Sequence, residues 1–348
     1  MRPIVPQTIK ALVAAGLAAC AVSLPVAAET VEEFYKGKQL TLVIGFNTGG
    51  GFDTYGRLVA RHIGRHIPGQ PVVVVKNQPG AGSIIAANSL YSIGPKDGTA
   101  IGLIAESAPL DPLYGLVKTG YDPLKFNWLG SVDRSTSVCI IWNTSKTQTA
   151  KDLFERETVI GTAGTSTIVF PLALNSVLGM RMKLVTGYSG TAGLMLALER
   201  GEIEGMCGPV YDAVKARHPA WLANKQVRIV IEVGGEKSSE LGDVPFALDL
   251  AKSEDDRKVL DLIVGATVMG RPFLMPPDVP ADRLAAVRAA FEATMKDAKL
   301  LAEAEKLNIQ VNPITGEQIE RYVKAAYATP PAIIARARAI VESTGVAK

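Results

Sequence analysis

Residues Leu40–Ile63 read LTLVIGFNTGGGFDTYGRLVARHI, and this stretch decides the fold class. A β-branched apolar run, Leu40–Phe46, leads into three consecutive glycines, Gly49–Gly51, and then into a helical pattern over Tyr55–Ile67. A strand that passes through a tight glycine turn into a helix is the repeating unit of α/β proteins. The stretch therefore predicts an α/β fold whose first strand ends at a glycine-rich loop.

The same alternation of short β-branched runs and longer helical patterns continues along the chain, as expected for parallel α/β layers. The continuous apolar run VVVV predicts a strand buried on both faces. Further strands are predicted at Val72–Lys76, Ala100–Ala105, Val138–Trp142, Thr158–Gly161, Lys183–Thr186, Ile203–Cys207 and Val227–Glu232. Further helices are predicted at Ser83–Ile93, Thr167–Leu178, Ala192–Arg200, Ala281–Lys296, Gly316–Ala326 and Pro331–Ser343.

Length and charge indicate two domains and argue against a nucleic-acid partner. The chain has 348 residues, 47% of them hydrophobic, with 37 basic and 34 acidic side chains. That length exceeds the size at which a single core stops growing, and the charge balance lacks a clustered basic excess. The stretches Gly130–Ser135 and Gly242–Pro245 are candidate crossings between domains. We therefore predict domain 1 from residues 29–132 and 246–348, domain 2 from residues 133–245, and a ligand cleft between the two lobes.

The N-terminus has the order of a secretory signal peptide. Arg2 and Lys10 precede an uncharged apolar run, Ala11–Ala28, which ends in small residues. This order predicts a signal peptide over residues 1–28, cleavage after Ala28 and a periplasmic location. Leu17–Cys20 also fits the site at which bacterial lipoproteins are cut and lipidated on the cysteine, and an uncleaved anchor is a further alternative.

Two cysteines, Cys139 and Cys207, remain after cleavage at Ala28. An oxidising compartment allows them to form a disulfide. The sequence by itself cannot place their Cα atoms within bonding distance. Two separately buried thiols are the preferred interpretation, and the disulfide stays open at this stage.

The glycine loop after the first strand is the strongest candidate binding element. Consecutive glycines let backbone N–H groups approach a ligand, and the helix N-terminus behind them favours an anion. Asp53 is expected in the first helical turn, where it can cap free amides. An ordinary strand-to-helix turn is the competing interpretation. The candidate ligand-binding residues of this loop are Asn47, Thr48, Gly49, Gly50, Gly51 and Asp53.

Three more loops rich in Gly, Ser and Thr follow predicted strands. Because ligands of open parallel sheets bind outside the carboxyl ends of the strands, four such loops predict a cleft lined by amides and hydroxyls. These donors can satisfy a carboxylate without a buried arginine. The additional candidate residues are Ala81, Gly82, Ser83, Thr162, Gly164, Thr165, Ser166, Tyr188, Gly190 and Thr191.

Motifs for catalysis, cofactors and metals are incomplete. Gly80 and Gly82 begin a dinucleotide fingerprint, but Ile85 occupies the position of its third glycine or alanine. Ser189 misses the position of a hydrolase nucleophile by one residue. His62 and His66 have the spacing of a zinc pair but lack the expected acid, so we interpret them as surface residues. We therefore predict no catalytic residue, cofactor or metal.

Several of these motifs together resemble the solute receptors of tripartite tricarboxylate transporters, the Bug receptors. The resemblance covers nearly the whole mature chain, and its most specific elements are GGxxD–AR and NxPGAG. The matching segments are FYKGK, GGGFDTYGRLVAR, PVVVVKNQPGAGSIIAAN, PKDGT, GTAGTS, GYSGTAGLMLALERGEIEG, VRIVIE with its following DVP, and PPDVPADRL.

The resemblance implies a two-lobed type II periplasmic-binding-protein fold. Lobe closure would capture a small carboxylate, held by loop amides, hydroxyls and ordered waters. The implied partners are that ligand and two integral-membrane transporter subunits, and we expect a monomer. Ser83 and Thr48 depart from the usual glycine and proline, and the segment Cys207–Asp212 lies where family members vary, which leaves the choice of carboxylate open. A sensor for a membrane signalling protein and a secreted α/β enzyme acting on a carboxylate are the alternative functions.

Overall fold

The structure is a computed structural model that describes residues 29–163, 165–188 and 190–343. The predicted signal peptide, with Cys20, lies outside the described residues. The strands are β1 Gln39–Ile44, β2 Val72–Asn77, β3 Ala100–Leu103, β4 Asn127–Ser131, β5 Ser137–Trp142, β6 Thr158–Gly161, β7 Met182–Val185, β8 Gly205–Val210, β9 Val227–Val233, β10 Pro272–Met275 and β11 Ile314–Thr315. The helices are α1 Val31–Tyr35, α2 Gly51–Ile63, α3 Ile84–Ile93, α4 Asp111–Tyr114, α5 Asp152–Glu155, α6 Thr165–Ala173, α7 Gly190–Glu199, α8 Tyr211–Arg217, α9 Pro219–Ala223, α10 Glu254–Val264, α11 Ala281–Met295, α12 Ala298–Lys306, α13 Gly316–Tyr327 and α14 Pro331–Ser343.

The strands form two separate sheets, and the predicted α/β class is confirmed. A six-stranded sheet has the order β11-β4-β10-β3-β1-β2, and a five-stranded sheet has the order β7-β6-β8-β5-β9. Strands from both ends of the described chain build the first sheet, whereas the second uses residues 137–233 alone. The domain boundaries at residues 132 and 245 stay predictions.

Both sheets are mixed rather than wholly parallel. In the first sheet β1 pairs in parallel with β2 and β3, but β10 lies antiparallel between β3 and β4. In the second sheet β6 pairs in parallel with β7 and β8, and β5 runs antiparallel to β8 and β9. The sequence analysis did not predict three short strands of the first sheet, β4, β10 and β11. All three take part in the antiparallel pairing of that sheet.

Strand β2 corrects one expectation about burial. The run VVVV predicts burial on both faces, but β2 is an edge strand whose burial alternates along its length. Val72 is 67% exposed and Val74 is 39% exposed, while Val73 and Val75 pack on the core beneath α2. An edge strand covered on one face buries only alternate side chains, because successive residues point to opposite faces.

Helices α2 and α11 cover the first sheet. Leu58, Val59 and Ile63 form the apolar face of α2. The ring of Phe291 on α11 packs against that of Phe273 on β10, with the centroids 5.2 Å apart and the planes tilted by 46°. Helix α10, which the sequence analysis did not predict, packs on α14 and on α6 of the second sheet's layer. The tail of the chain therefore contacts helices of both layers.

The chain passes between the sheets in the segment after β4. The backbone N–H of Ser135 donates to the carbonyl of Thr267 at 3.1 Å, and Asn312 donates to the carbonyl of Val132 at 3.0 Å. The first bond ties the outgoing segment to the returning segment before β10, and the second ties it to the segment before β11. We call this region, residues 131–136 with residues 265–271, the crossing.

Cys139 and Cys207 form a disulfide. They are direct cross-strand partners on β5 and β8, and both are fully buried. The interpretation of two separate thiols was wrong, because the antiparallel register brings two residues 68 positions apart in sequence opposite each other. Among the described residues, none belongs to a helix long and apolar enough to span a bilayer.

Candidate functional site

The loop after β1 presents backbone N–H groups at the start of α2. Residues Asn47–Gly51 are exposed, and Gly50 is the N-cap of this thirteen-residue helix. In the described part of the chain, no side chain caps that N-terminus. Gly49 has a φ of +85°, which only glycine adopts readily, so the loop can turn tightly into the helix. The geometry is that of an open anion-binding helix start.

Asp53 holds this loop from inside. Its buried carboxylate accepts hydrogen bonds from the Gly49 N–H at 2.8 Å, from Arg57 Nε at 3.0 Å and from Asn77 Nδ2 at 2.8 Å. Burial opposes ionisation, but these hydrogen bonds outweigh it and lower the pKa of Asp53. Asn77 also donates to the carbonyl of Phe46 at 2.9 Å. The carboxylate thus fixes the shape of the loop.

The loop after β2 packs directly against the first loop. Its three candidate residues, Ala81, Gly82 and Ser83, all have positive φ, which is costly for Ala81 and Ser83. A Cβ on Gly45 would lie 2.4 Å from Cβ of Ser83, so this approach requires glycine. The buried Ser83 Oγ accepts from the Ala105 N–H at 2.8 Å, which ties in the end of β3. Ala81 and Gly82 remain exposed.

The corresponding loop after β6 lies in the second sheet. The buried Thr162 hydroxyl donates to the carbonyl of Val185 at 3.2 Å, so it braces the neighbouring strand β7. Thr165 is exposed and Ser166 is partly buried in the first turn of α6. Gly164 lies outside the described residues. Thr165 and Ser166 are therefore the hydroxyls of this loop that are open to a ligand.

The loop after β7 contributes the last candidate residues. Tyr188 is partly buried against the core of the second sheet, Gly190 is exposed and Thr191 is partly buried. Gly190 and Thr191 begin α7, as Thr165 and Ser166 begin α6. Each sheet thus brings two of its predicted loops to the carboxyl ends of adjacent parallel strands. That the two pairs face each other stays a prediction.

Arg271 is a candidate site residue that the sequence analysis missed. It immediately precedes β10, and its guanidinium carbon lies 3.9 Å from the ring centroid of Tyr55 on α2. A Cβ on Gly51 would lie 3.7 Å from its Nη2 atom. Arg271 is 220 positions from Gly51 in sequence, so no local motif could have linked them. An arginine thus lies beside a loop for which amide and hydroxyl donors, without an arginine, were expected.

Acidic side chains surround this arginine. Asp133 forms an ion pair with Arg271 and is 6% exposed, and burial raises the pKa of Asp133 to about 6. Burial likewise raises the pKa of Glu106, three residues after β3, and raises the pKa of Tyr55 to about 12. Burial therefore opposes ionisation of both carboxyls, while the permanently charged guanidinium of Arg271 favours the ionised form of each.

A cavity of about 240 Å³ lies at the crossing, next to this cluster. Its walls come from the segments before β5 and after β9, from α8 and from the chain before β11. The lining residues include Arg134, Thr136, Asp212, Glu236, Gln310 and Asn312. The cavity lies between segments that lead to both sheets, and Asp212 in its wall is electrostatically coupled to Asp133.

His62 on α2 and His66 in the turn that follows it both contact acidic side chains of the α12 region. His62 Nε2 lies 2.6 Å from a Glu303 oxygen, and His66 Nε2 lies 2.6 Å from an Asp297 oxygen. These pairs attach α12 to α2. The expectation that both histidines are surface residues was wrong for His62, which is 6% exposed. Among the described residues, no group of three or more His, Cys, Asp or Glu side chains is arranged to hold a metal ion.

Comparisons with known proteins identify the fold. No protein-family model matches the chain. The UPF0065 protein in gbd 5'region of Cupriavidus necator is 34% identical over 114 residues, which is 32% of this chain and 33% of that protein. The match therefore spans about a third of this relative's length.

Solved structures match over most of their length. A TctC solute binding protein from Polaromonas, solved without ligand, superposes with a TM-score of 0.69 at 18% identity, covering 89% of this chain and 99% of that one. The periplasmic binding protein BugD gives 0.57 at 19% identity, covering 90% and 99%. MatC from Rhodopseudomonas palustris, with bound malate, gives 0.54 at 18% identity, covering 87% and 99%. The predicted resemblance and two-lobed fold are confirmed at the level of fold.

Proposed function

We propose that this protein is a periplasmic receptor of the Bug type that captures a small carboxylate by lobe closure and delivers it to a membrane transporter with two integral-membrane subunits. The fold it shares with TctC, BugD and MatC supports this proposal, as does malate in the structure of MatC. The N-terminal pattern of a signal peptide supports the periplasmic location.

The observation that carries the proposal is the open N-terminus of α2. Gly50 and Gly51 lie exposed there, while Asp53 accepts the Gly49 N–H and holds the loop from inside. A helix N-terminus carries partial positive charge, so it stabilises an anion such as a carboxylate. We assign the sixteen predicted residues of the four loops to the ligand site, with Asp53, Ser83 and Thr162 shaping the loops from inside.

The distribution of histidines favours a receptor over an enzyme. His62 and His66 pair with acids of α12, and the ring of His218 stacks 4.0 Å from that of Trp221. A serine or threonine nucleophile needs a general base within hydrogen-bond reach. The loop hydroxyls therefore act as ligand donors in this proposal rather than as nucleophiles.

Thermal unfolding with a panel of acetate, succinate, malate, adipate and citrate tests this function. A carboxylate present at 100 times its dissociation constant should raise the free energy of unfolding by about 2.7 kcal/mol. The matched neutral amides should give no such shift. If no carboxylate raises the melting temperature, or if the amides raise it equally, the proposed function is wrong.

A further inference from the structure

The backbone at Arg271 is fixed against the crossing. Its N–H donates to Ser131 Oγ at 2.9 Å, and that hydroxyl donates to the carbonyl of Asp133 at 2.8 Å. Gly270, at a φ of +47°, passes so close that a Cβ there would lie 2.1 Å from the same carbonyl oxygen. These contacts hold the backbone of Arg271 in one position, from which its side chain extends.

From that position the side chain reaches the first turn of α2. The guanidinium lies over the ring of Tyr55 and 5.4 Å from the ring centroid of Phe52, an arrangement that aromatic faces stabilise. Phe52 itself stacks on Phe46 at 3.9 Å. The guanidinium is thus held beside Gly51, at the edge of the glycine loop.

The ion pair between Arg271 and Asp133 leaves polar atoms without partners. In the described part of the chain, Arg271 Nε and Asp133 Oδ1 are both buried and make no hydrogen bond. A buried polar atom without a partner costs free energy, and such atoms in native proteins call for an explanation. A guanidinium offers five donors in a fork that matches a carboxylate. Of the Arg271 donors, Nη2 is the one that lies beside Gly51 and the proposed anion site.

The Arg271 guanidinium is paired with Asp133 and has two further acids nearby. Glu106, Asp133 and Asp212 all lie within electrostatic range of this cluster. Asp212 forms an ion pair with Lys215 at 3.0 Å, and burial raises the pKa of Glu106 and raises the pKa of Asp133 to about 6. A bound anion would raise both pKa values further, so protonation of these carboxyls would weaken their competition with the ligand for the guanidinium.

We infer that Arg271 is a ligand-binding residue that contacts the carboxylate at the glycine loop, and that Asp133 is the positioning residue that holds it there. The inference rests on the proposed function and adds a charged anchor to the amide-lined site. A ligand oxygen between Gly51 and the guanidinium would receive backbone N–H groups from one side and the arginine fork from the other. Such a site selects carboxylates over neutral amides by charge.

Calorimetry on the exported full chain tests this assignment with the panel carboxylate that stabilises the wild type most. Arg271→Gln should weaken that binding about tenfold to a hundredfold, as expected for a hydrogen bond between charged groups. Arg271→Lys keeps the charge but loses the fork and should bind at least about threefold more weakly. Arg288→Gln is the matched control, because Arg288 is 21% exposed, close to the 18% of Arg271, and pairs with Glu320.

The outcomes separate the inference from the proposed function. Unchanged affinity in Arg271→Gln, with a lowered melting temperature, would make Arg271 a structural brace and overturn the inference alone. Arg271→Lys decides the case if the glutamine variant does not fold, since an unchanged dissociation constant there excludes forked contact. A wild type that binds no panel carboxylate would overturn the proposed function and this inference together. The Arg288→Gln control should bind as the wild type does.

Discussion

Single residues with unusual backbone conformations shape the candidate site. Gly49 turns the chain toward α2, and Ala81 and Ser83 adopt the left-handed conformation that non-glycine residues rarely hold. Strain of this kind persists only where the surroundings fix it. Here Asp53 and the contact between Gly45 and Ser83 supply that constraint.

Gly50 allows a clean test of the loop. Its φ of −83° suits any residue, and a Cβ there would meet only the carbonyl oxygen of Asn47 at 3.7 Å. Gly50→Val should therefore fold, losing on the order of 1 kcal/mol at the N-cap. The added side chain should obstruct the approach of a carboxylate and weaken its binding about tenfold in calorimetry.

Thr54→Val is the matched control for Gly50→Val, because Thr54 lies one turn further along α2 and bonds the Gly50 carbonyl at 3.0 Å. The control should retain wild-type affinity. Wild-type affinity in Gly50→Val as well would reduce the loop to an ordinary strand-to-helix turn.

The central strand of the antiparallel part of the second sheet, β5, is linked to its neighbour β8 by a disulfide as well as by backbone pairing. Strand β5 lies between β8 and β9 and runs antiparallel to both. The disulfide between Cys139 and Cys207 links β5 to β8 in the buried centre of this sheet. A covalent link that closes a long loop restricts the unfolded chain more than the folded one.

Replacing both cysteines by alanine should lower the free energy of unfolding by about 2–4 kcal/mol, because the loop of 68 residues is then free in the unfolded chain. Urea denaturation with and without reductant measures this effect. Reductant should destabilise the wild type but leave the double-alanine variant unchanged. Two titratable thiols in the unreduced, denatured wild type would contradict the disulfide.

At the scale of the whole molecule, the crossing connects the two sheets and lies next to the candidate site. Ser135 and Thr267 join its outgoing and returning segments, and Arg271 extends from it to the glycine loop. A ligand drives closure only if it binds the closed arrangement more tightly than the open one. Contacts from both lobes to one ligand would provide that difference.

Ser166→Ala and Thr191→Ala test the contribution of the second lobe. Each should weaken carboxylate binding about threefold to tenfold, since one neutral hydrogen bond contributes about 0.5–1.5 kcal/mol. Thr147→Val is the matched control, because the buried Thr147 hydroxyl lies outside the four loops and bonds the Thr158 hydroxyl at 2.7 Å. The control should lower the melting temperature with affinity unchanged. Unchanged affinity in both alanine variants would remove the second lobe from the site.

The alternation of strand and helix patterns was sufficient to predict the α/β class and most of the regular elements. Strand β6 and helix α14 have the predicted bounds, and β1 and β2 differ from the predicted strands by one or two residues at their ends. Helices α10 and α12 were missed although Ser253 and Asp297 are standard N-caps. Short strands such as β4 and β10 carry too little periodicity to be recognised.

The sequence by itself determined the glycine loops and their place after strands, because turn chemistry and periodicity are local. Only the tertiary structure decided the edge position of β2, the cysteine pairing and the location of Arg271 beside Gly51. Each of these depends on which distant segments become neighbours. Strand order and register are set by packing of the whole chain, and residues 68 or 220 positions apart leave no local signal of their contact.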